Sequence, residues 1–306
     1  MKLEKVAVIG AGAIGSYFID GLSEKLGQNL WVIAQGERKE RLLKNGIIVN
    51  QKKMSLAVKT PEEATGADLI IVAVKYGALQ ESLPMIEKIV DAHTIVLSPL
   101  NGIDSENIIG EKIGMEHLVY SMIKIASQRV GNAITYDPEV TQGIYFGEQN
   151  GEKSERIQAI EALFEGTKIH YHISDNIQQD IWYKYALNIS KNLPQAIVNC
   201  GVGAYTTSKH LAYISERMRE EVVQVAAAKG IDISDAANKA GINIPISPDS
   251  RFSTLQDLDG KRETEIEMFS GALSRMGKEL GVDTPFNEFA YHVIKCLEEK
   301  NRGEIR

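Results

Sequence analysis

The chain has 306 residues, 43% of them hydrophobic and 25% charged, with a formal net charge of -7 at pH 7 and a pI near 5.5. That length suits two domains of the usual size, roughly 100–200 residues each, and the acidic balance without a basic block argues against a nucleic-acid surface. Cys200 and Cys296 are too few for a disulfide framework, the N-terminus lacks a secretory pattern, and no apolar run approaches the roughly 18 residues of a membrane span, so a cytoplasmic protein is expected.

In chain order, Lys5–Ile9 is an apolar run short enough for a buried first strand. It leads into Gly10-Ala-Gly-Ala-Ile-Gly15 and then a helical pattern. In that context Gly10 permits a tight turn, Gly12 lets the backbone approach a pyrophosphate, and Gly15 lets the helix pack on the strand. Phosphate would meet the helix N-terminus there, so dinucleotide binding by Gly10, Ala11, Gly12, Ala13, Ile14 and Gly15 is expected. Leu30–Ala34 reads as a second strand, Arg38–Lys44 as a short helix, Asp68–Val74 as a strongly buried strand, Leu79–Val90 as a helix and Thr94–Leu97 as a further strand. Short apolar strands alternating with helices imply a parallel, doubly wound sheet. Lys75 and Asn101 fall just past strand ends, where ligands of such sheets sit.

From Leu118 to Gly147 the pattern turns β-rich, with turns at Gly131-Asn132 and Asp137-Pro138. Ser154–Phe164 reads as a helix burying Ile157, Ile160, Ala162 and Phe164, and Lys168–Ile173 as an alternating strand. The chain then becomes almost wholly helical, which places a boundary near residues 173–176, between a dinucleotide-binding domain of residues 1–174 and a helical substrate domain of residues 175–306. No Pro/Gly linker separates them, so a cleft between directly packed domains is expected.

In the helical half, Lys184, Asn188 and Asn192 recur every fourth residue and form one helical stripe, flanked by Trp182, Tyr185, Leu187 and Ile189. Such a stripe is either a solvated edge or a functional face. Further on, a helix starting near Gly260 or Lys261 would bury Ile266, Phe269, Leu273, Met276 and Leu280. At about 100° per residue Glu265 then faces the packed side, while Glu263 and Glu267 point away. An inward carboxylate needs a cation or hydrogen-bond partners, and Lys184 is an available one. A structural ion pair fits the same pattern.

These motifs, with Val74-Lys75, Asn101-Gly102, Trp182-x-Lys184-x-x-x-Asn188-x-x-x-Asn192 and Ser253-x-Leu-Gln-Asp followed by Thr264-Glu265-Ile, resemble the ketopantoate reductase (2-dehydropantoate 2-reductase) family over nearly the whole chain. The resemblance implies an α/β protein: an N-terminal Rossmann-type doubly wound sheet with an all-helical C-terminal domain. The activity it implies is NADPH-dependent reduction of 2-dehydropantoate to (R)-pantoate in pantothenate and coenzyme A biosynthesis. By the same resemblance Lys184 is the general acid and Glu265 positions cofactor, substrate and lysine. Asn188, Asn192 and Ser253 would hold the substrate, Asn101 and Lys75 would lie at the nicotinamide side, and Ala126 would offer a backbone contact to the cofactor. An ammonium in reach of the carbonyl oxygen suits the charge that develops there. The family includes monomers and dimers, and the long C-terminal helices are a candidate homodimer surface.

Three positions depart from the family pattern. Where many members carry Ala-Arg-Gly after the second strand, with the arginine at the NADP 2′-phosphate, this chain has Ala34-Gln35-Gly36. An uncharged amide does not replace a guanidinium at a phosphate. Arg38 or Lys39 could compensate, whereas Glu37 could favour the ribose hydroxyls of NAD. The family's Asn-Pro step is Asn192-Leu193-Pro194 here, which suggests a shifted helix end, and Val202 stands where an asparagine often serves the substrate. Gln35 and Val202 therefore keep open an NAD-dependent D-2-hydroxyacid dehydrogenase of the D-mandelate type. A non-catalytic dinucleotide sensor is a further alternative. His170 and His172 alternate without a third ligand, so no metal is expected. Cys296 reads as core, and Arg217–Glu221 as an exposed, locally paired face.

Overall fold

The structure, a computed structural model, describes residues 1–239 and 247–306. Two compact units emerge, one of Met1–Asn101 with Ser105–Ile177 and one of Gly102–Asp104 with Gln178–Arg306.

The first unit is built on strands β1 (Val6–Ile9), β2 (Leu30–Ile33), β3 (Ile48–Val49), β4 (Lys52–Lys53), β5 (Ala57–Lys59), β6 (Leu69–Val72), β7 (Ile95–Leu97), β8 (Leu118–Lys124), β9 (Ser127–Val130), β10 (Ala133–Tyr136), β11 (Gly143–Gly147) and β12 (Tyr171–Ile173). Its helices are α1 (Ala13–Leu26), α2 (Gly36–Asn45), α3 (Leu79–Ile89), α4 (Ser105–Ile113) and α5 (Glu155–Phe164). The described residues form an eight-stranded sheet in the order β12-β11-β8-β7-β6-β1-β2-β5. From β5 to β8 neighbouring strands are parallel, whereas β11 pairs antiparallel to β8 and β12 follows β11. The expected sheet is therefore mixed at one edge.

Both faces of the parallel strands are covered, which is why they read as unbroken apolar runs rather than alternating ones. Val6, Val8, Leu69 and Ile71 pack with Tyr17, Phe18 and Leu22 of α1 and with Ile160 and Phe164 of α5. Ala7, Ile9, Ile70 and Val72 pack on the opposite side with Leu79, Ile86 and Ile89 of α3 and Ile109 of α4. In α5, Ala162 lies exposed and Ala159 and Leu163 take its expected place, because the buried stripe runs through 157, 160, 163 and 164. The strand expected at Lys168–Ile173 shortens to β12, and His170 instead bonds through its ring nitrogen to the Thr141 carbonyl at 2.8 Å.

A second sheet, β4-β3-β10-β9, lies beside α1. Tyr136 of β10 donates to Asp20 of α1 at 2.7 Å, and its ring meets that of Tyr17 edge to face at 5.2 Å between centroids. Burial first, then the His170 N–H it accepts, set the Tyr17 hydroxyl, which is pushed up to about 12. These buried phenols lock the small sheet onto the first helix.

Among its described residues the second unit contains helices and loops and no strand. Its elements are α6 (Ile177–Val198, whose first residue belongs to the first unit), α7 (Ala204–Thr207), α8 (Lys209–Ala228), α9 (Ala236–Lys239), α10 (Ser253–Asp259), a π-helical turn at Glu267–Gly271, α11 (Ala272–Leu280) and α12 (Pro285–Arg302). Four expectations are corrected here. Helix α6 continues through Pro194 to Val198 instead of ending near it. Cys296 is exposed, because α12 buries the stripe Ala290, Ile294 and Glu298. Arg219 and Glu221 are buried, and Glu221 accepts the backbone N–H groups of Phe286 and Asn287 at 2.8 and 2.9 Å, capping the start of α12. Finally, no helix begins at Gly260 or Lys261: Gly260 closes α10, Lys261 adopts φ 52°, and Leu280 is exposed. Among the described residues no helix is long and apolar enough to cross a membrane, and no cluster of His, Cys, Asp and Glu suits a metal ion.

Glu148, after β11, binds Arg156 of α5 through two contacts of 2.5 and 2.6 Å and accepts from Ser154 at 2.6 Å. Burial works to raise its pKa, but the Arg156 and Ser154 hydrogen bonds overcome it and hold the carboxyl below its ordinary value. A depressed folded-state pKa contributes stability above the unfolded value and loses it as pH falls through the folded one. Glu148→Gln is expected to cost about 1–3 kcal/mol at neutral pH. In urea unfolding the gap to the wild type should close as pH drops below 4.5, the carboxyl's ordinary value.

Candidate functional site

In the first unit the strand order places β1 and β6 side by side where the winding direction reverses, so that the loops after both strands meet. Ala73 donates its N–H to the Ile9 carbonyl at 2.8 Å. Gly10 follows with φ +101°, and a Cβ there would lie 2.5 Å from the Ala73 carbonyl oxygen. A Cβ on Gly15 would lie 1.8 Å from the Gly10 carbonyl oxygen. Both positions must be glycine for α1 to start this close to the sheet. At Gly12 the added atom would meet only the Arg129 Nη1, 3.9 Å away, so the space above it is open.

The first turn of α1, which includes Ala13, Ile14 and Gly15, carries no acidic residue, and its N-cap Gly12 offers no side-chain acceptor. Helix-start N–H groups that no side chain caps, beside open space, fit an anionic pyrophosphate. Ala11 is buried beneath this loop.

A depression of about 190 Å³ continues from the glycine turn along the ends of β1, β2 and β6, lined among others by Gly10, Ala34, Gln35, Arg38, Val74 and Ala78. Gln35 is the N-cap of α2 and makes no side-chain cap. Arg38, one turn into α2, is shifted below its ordinary pKa by partial desolvation and then by the Arg41 and Arg129 guanidiniums. Lys39 is bound to Glu63 at 2.8 Å, which neutralises it as an anion ligand. Glu37 does not line the depression. Lys75 caps the short 3₁₀ turn Tyr76–Ala78 after β6, Asn101 follows β7, and exposed Ala126 lies in the connection between β8 and β9.

In the second unit α6 carries Lys184, Asn188 and Asn192 on one stripe, with Lys184 and Asn188 half-buried and Asn192 buried. Trp182, Tyr185 and Ile189 anchor the helix in the core behind it. Asn192 Nδ2 donates to Ser253 Oγ at 3.5 Å, so these two expected substrate groups meet. Gln195, fully buried one turn further on, arranges that meeting. Its Nδ-bearing counterpart on the stripe is Asn192, while its own Nε2 donates to the Ser250 carbonyl at 2.9 Å and its Oε1 accepts from Phe252 N–H at 2.8 Å. Val202 donates its N–H to the same Ser250 carbonyl at 3.1 Å. Gln195 was not anticipated, although a glutamine among Leu193, Pro194 and Ala196 is the kind of buried polar residue that needs partners.

Glu265 is half-buried between two anchors. On one side Thr264 donates through both its N–H and Oγ1 to Glu298 Oε1, at 2.8 and 2.6 Å. On the other, Ile266 is wholly buried and the π-helical turn begins, with Phe269 at φ -82° and ψ -105° breaking the helical path. Tyr185 of α6 donates to the Phe269 carbonyl at 2.6 Å and the Met268 carbonyl at 3.2 Å, tying this turn to the lysine-bearing helix. The break also corrects the assignment of Glu267: half-buried, it accepts from Tyr291 at 2.6 Å and pairs with Lys295 at 3.6 Å. Glu263 does point outward, paired with Arg302 at 2.7 Å.

Residues 6–151 match the ketopantoate reductase PanE/ApbA family, and residues 176–298 match the C-terminal region of the same family. The chain belongs to the ketopantoate reductase family. A 2-dehydropantoate 2-reductase from Archaeoglobus fulgidus is 26% identical, over 97% of this chain and 99% of that protein. The uncharacterized oxidoreductase YkpB of Bacillus subtilis is 24% identical, over 96% and 99%. Among solved structures, D-mandelate dehydrogenase with NADH and anilino(oxo)acetate superposes with a TM-score of 0.85 at 23% identity, covering 97% of this chain and 99% of that one. A PanE/ApbA family ketopantoate reductase from Ralstonia eutropha gives 0.82 at 23% identity, with the same coverage. The family is one of NAD(P)-dependent oxidoreductases.

The close approach at the glycine turn has a direct consequence. Gly15→Ala is expected to destabilise the protein by about 1–3 kcal/mol, because the added methyl meets backbone rather than a movable side chain. It should also weaken dinucleotide binding. Urea unfolding and a coenzyme titration of the same variant check both effects.

Proposed function

We propose that the protein reduces a 2-ketoacid with NAD(P)H, and that its substrate is 2-dehydropantoate, giving (R)-pantoate for pantothenate and coenzyme A biosynthesis. The observation that carries this reading is the polar stripe of α6, whose Lys184, Asn188 and Asn192 stand on one face with Ser253 hydrogen-bonded to Asn192. Those residues match the family's general acid and substrate ligands by position, and the curated relatives named 2-dehydropantoate 2-reductase align over nearly their whole length.

In this reading the glycine turn and the first turn of α1 hold the coenzyme pyrophosphate, and Gln35, Arg38, Lys75, Asn101 and Ala126 flank the rest of the dinucleotide. The bound nicotinamide supplies the hydride. Lys184 donates a proton to the ketone oxygen as that oxygen gains negative charge, so carbon C2 becomes a secondary alcohol. Asn188, Asn192 and Ser253 hold the carboxylate and hydroxyl groups of the substrate, all three being neutral donors that bind anions without competing for the proton. Glu265, fixed by the Thr264–Glu298 bond and the π-helical turn, orients the ammonium and the two ligands. A proton donor on that face favours an enzyme over a sensor, which needs no acid.

The likeness to D-mandelate dehydrogenase, together with Gln35, favours a second reading, in which a bulkier 2-ketoacid is reduced with NADH. Steady-state consumption of NADPH and NADH with 2-dehydropantoate and with an aromatic 2-ketoacid separates the two. We expect turnover of 2-dehydropantoate. Lys184→Ala should lower kcat/KM by about 10²- to 10⁴-fold while leaving coenzyme affinity unchanged. Wild-type turnover restricted to the aromatic acid would transfer the assignment to the second reading. Full activity in Lys184→Ala would remove this lysine as the acid.

A further inference from the structure

Helix α6 carries a second cation on the side that bears Lys184. Lys191 comes two turns later, and at about 100° per residue it returns to within about 20° of Lys184 around the helix axis. Lys184, Leu187, Asn188 and Lys191 are all half-buried, whereas Tyr185, Ala186, Ile189 and Ser190 lie buried behind them. The two lysines therefore stand at the ends of one open strip, with an apolar side chain and an amide between them.

Tyr205 of α7 donates its hydroxyl to the Lys191 carbonyl, which lays its ring beside this turn of α6. The Lys191 ammonium sits 4.4 Å from the centroid of that ring. Among the described residues it has no hydrogen bond and no carboxylate bound to it. Glu216 of α8, the acid that faces it, is paired with the buried Arg219, and that guanidinium faces Lys191 as well. An ammonium half out of water, with an aromatic face on one side and a like charge behind it, lacks a full counterion. An anion brought to the open strip supplies the missing charge through a charge-assisted hydrogen bond, roughly twice as strong as a neutral one.

The spacing sets the kind of anion. At a rise of about 1.5 Å per residue, the Cα atoms of the two lysines lie about 10.5 Å apart along the helix. Their side chains leave the helix with the same lean. A hydrogen bond of about 2.8 Å at each ammonium then leaves about 5 Å between the two acceptor oxygens. A short methylene chain between a ketone and a distal carboxylate spans that gap, and Leu187 offers those methylenes an apolar neighbour.

We propose that Lys191 is a second anion subsite, and that the protein reduces, besides 2-dehydropantoate, 2-ketoacids that carry a further carboxylate a short methylene chain beyond the ketone. Carbon C2 accepts the hydride and the ketone oxygen accepts the Lys184 proton, giving a 2-hydroxy diacid and oxidised coenzyme. The distal carboxylate takes no part in the bond changes. The inference rests on the reductase reading above and widens its substrate range.

Steady-state turnover of the full chain with 2-oxoglutarate and with its 5-methyl ester tests it, the ester having the same chain without the distal charge. The wild type should favour the diacid in kcat/KM by at least about tenfold, mainly through KM. Lys191→Gln should bring the ratio to within about twofold of unity, while Lys191→Arg, which keeps the charge, should preserve a preference for the diacid. The ratio is internal to each variant, so a partial loss of folded enzyme lowers both rates alike and leaves it unchanged. A wild type without preference for the diacid, or a Lys191→Gln variant that keeps the preference, would overturn the proposal. A wild type that turns over 2-dehydropantoate but neither probe would sink the inference and leave the reductase reading intact. A wild type that turns over no 2-ketoacid would sink that reading itself.

Discussion

The structure of the first unit depends on the contact between the turn after β1 and the turn after β6. Two adjacent parallel strands whose connections leave in opposite directions open a crevice at their carboxyl ends. Here Gly10 lies against the Ala73 carbonyl and Gly15 against the Gly10 carbonyl, distances that leave no room for a side chain. The same approach that buries the start of α1 against the sheet leaves its first N–H groups facing open space. Packing and anion binding are therefore two results of one steric constraint.

The second unit solves a different problem, the placement of polar groups on a helix that must also be core. Helix α6 buries Trp182, Tyr185 and Ile189 on one side and carries Lys184, Asn188 and Asn192 on another. Its buried polar residues reach outward to neighbouring segments: Gln195 holds the chain before α10, and Tyr185 holds the π-helical turn after Glu265. Each bond satisfies a backbone group that would otherwise be costly to bury. Each also fixes one of the segments that bear Ser253 and Glu265.

Much of this was legible in the sequence where a residue pattern has a single physical solution. The unbroken apolar strands and the glycine spacing belong to that group, whereas the stripe of Lys184, Asn188 and Asn192 was legible as a helical face but not as a solvated or a functional one. The second sheet was not legible in full: β3 and β4 have two residues each, and Lys52 and Lys53 are exposed, so no burial pattern marks them. The antiparallel edge at β11 was hidden because strand direction depends on partners far along the chain. Around Glu265 the assumption of a continuous helix from residue 260 failed, because the segment before Glu267 is not helical and the turn that follows is π-helical with a break at Phe269. Pro194 misled in the opposite sense, since packing carries α6 through it. The place of Arg129 beside Gly12 has no local signature at all, because more than a hundred residues and a second sheet intervene.

The proposed reaction moves a hydride from a nicotinamide coenzyme to the ketone carbon of a 2-ketoacid. The most direct measurement uses NADPH deuterated at both positions of nicotinamide C4, incubated with 2-dehydropantoate and the enzyme, with the product examined by mass spectrometry and NMR. Pantoate carrying one deuterium at C2 is expected. Unlabelled pantoate, or coenzyme and ketoacid both left unchanged, would contradict it.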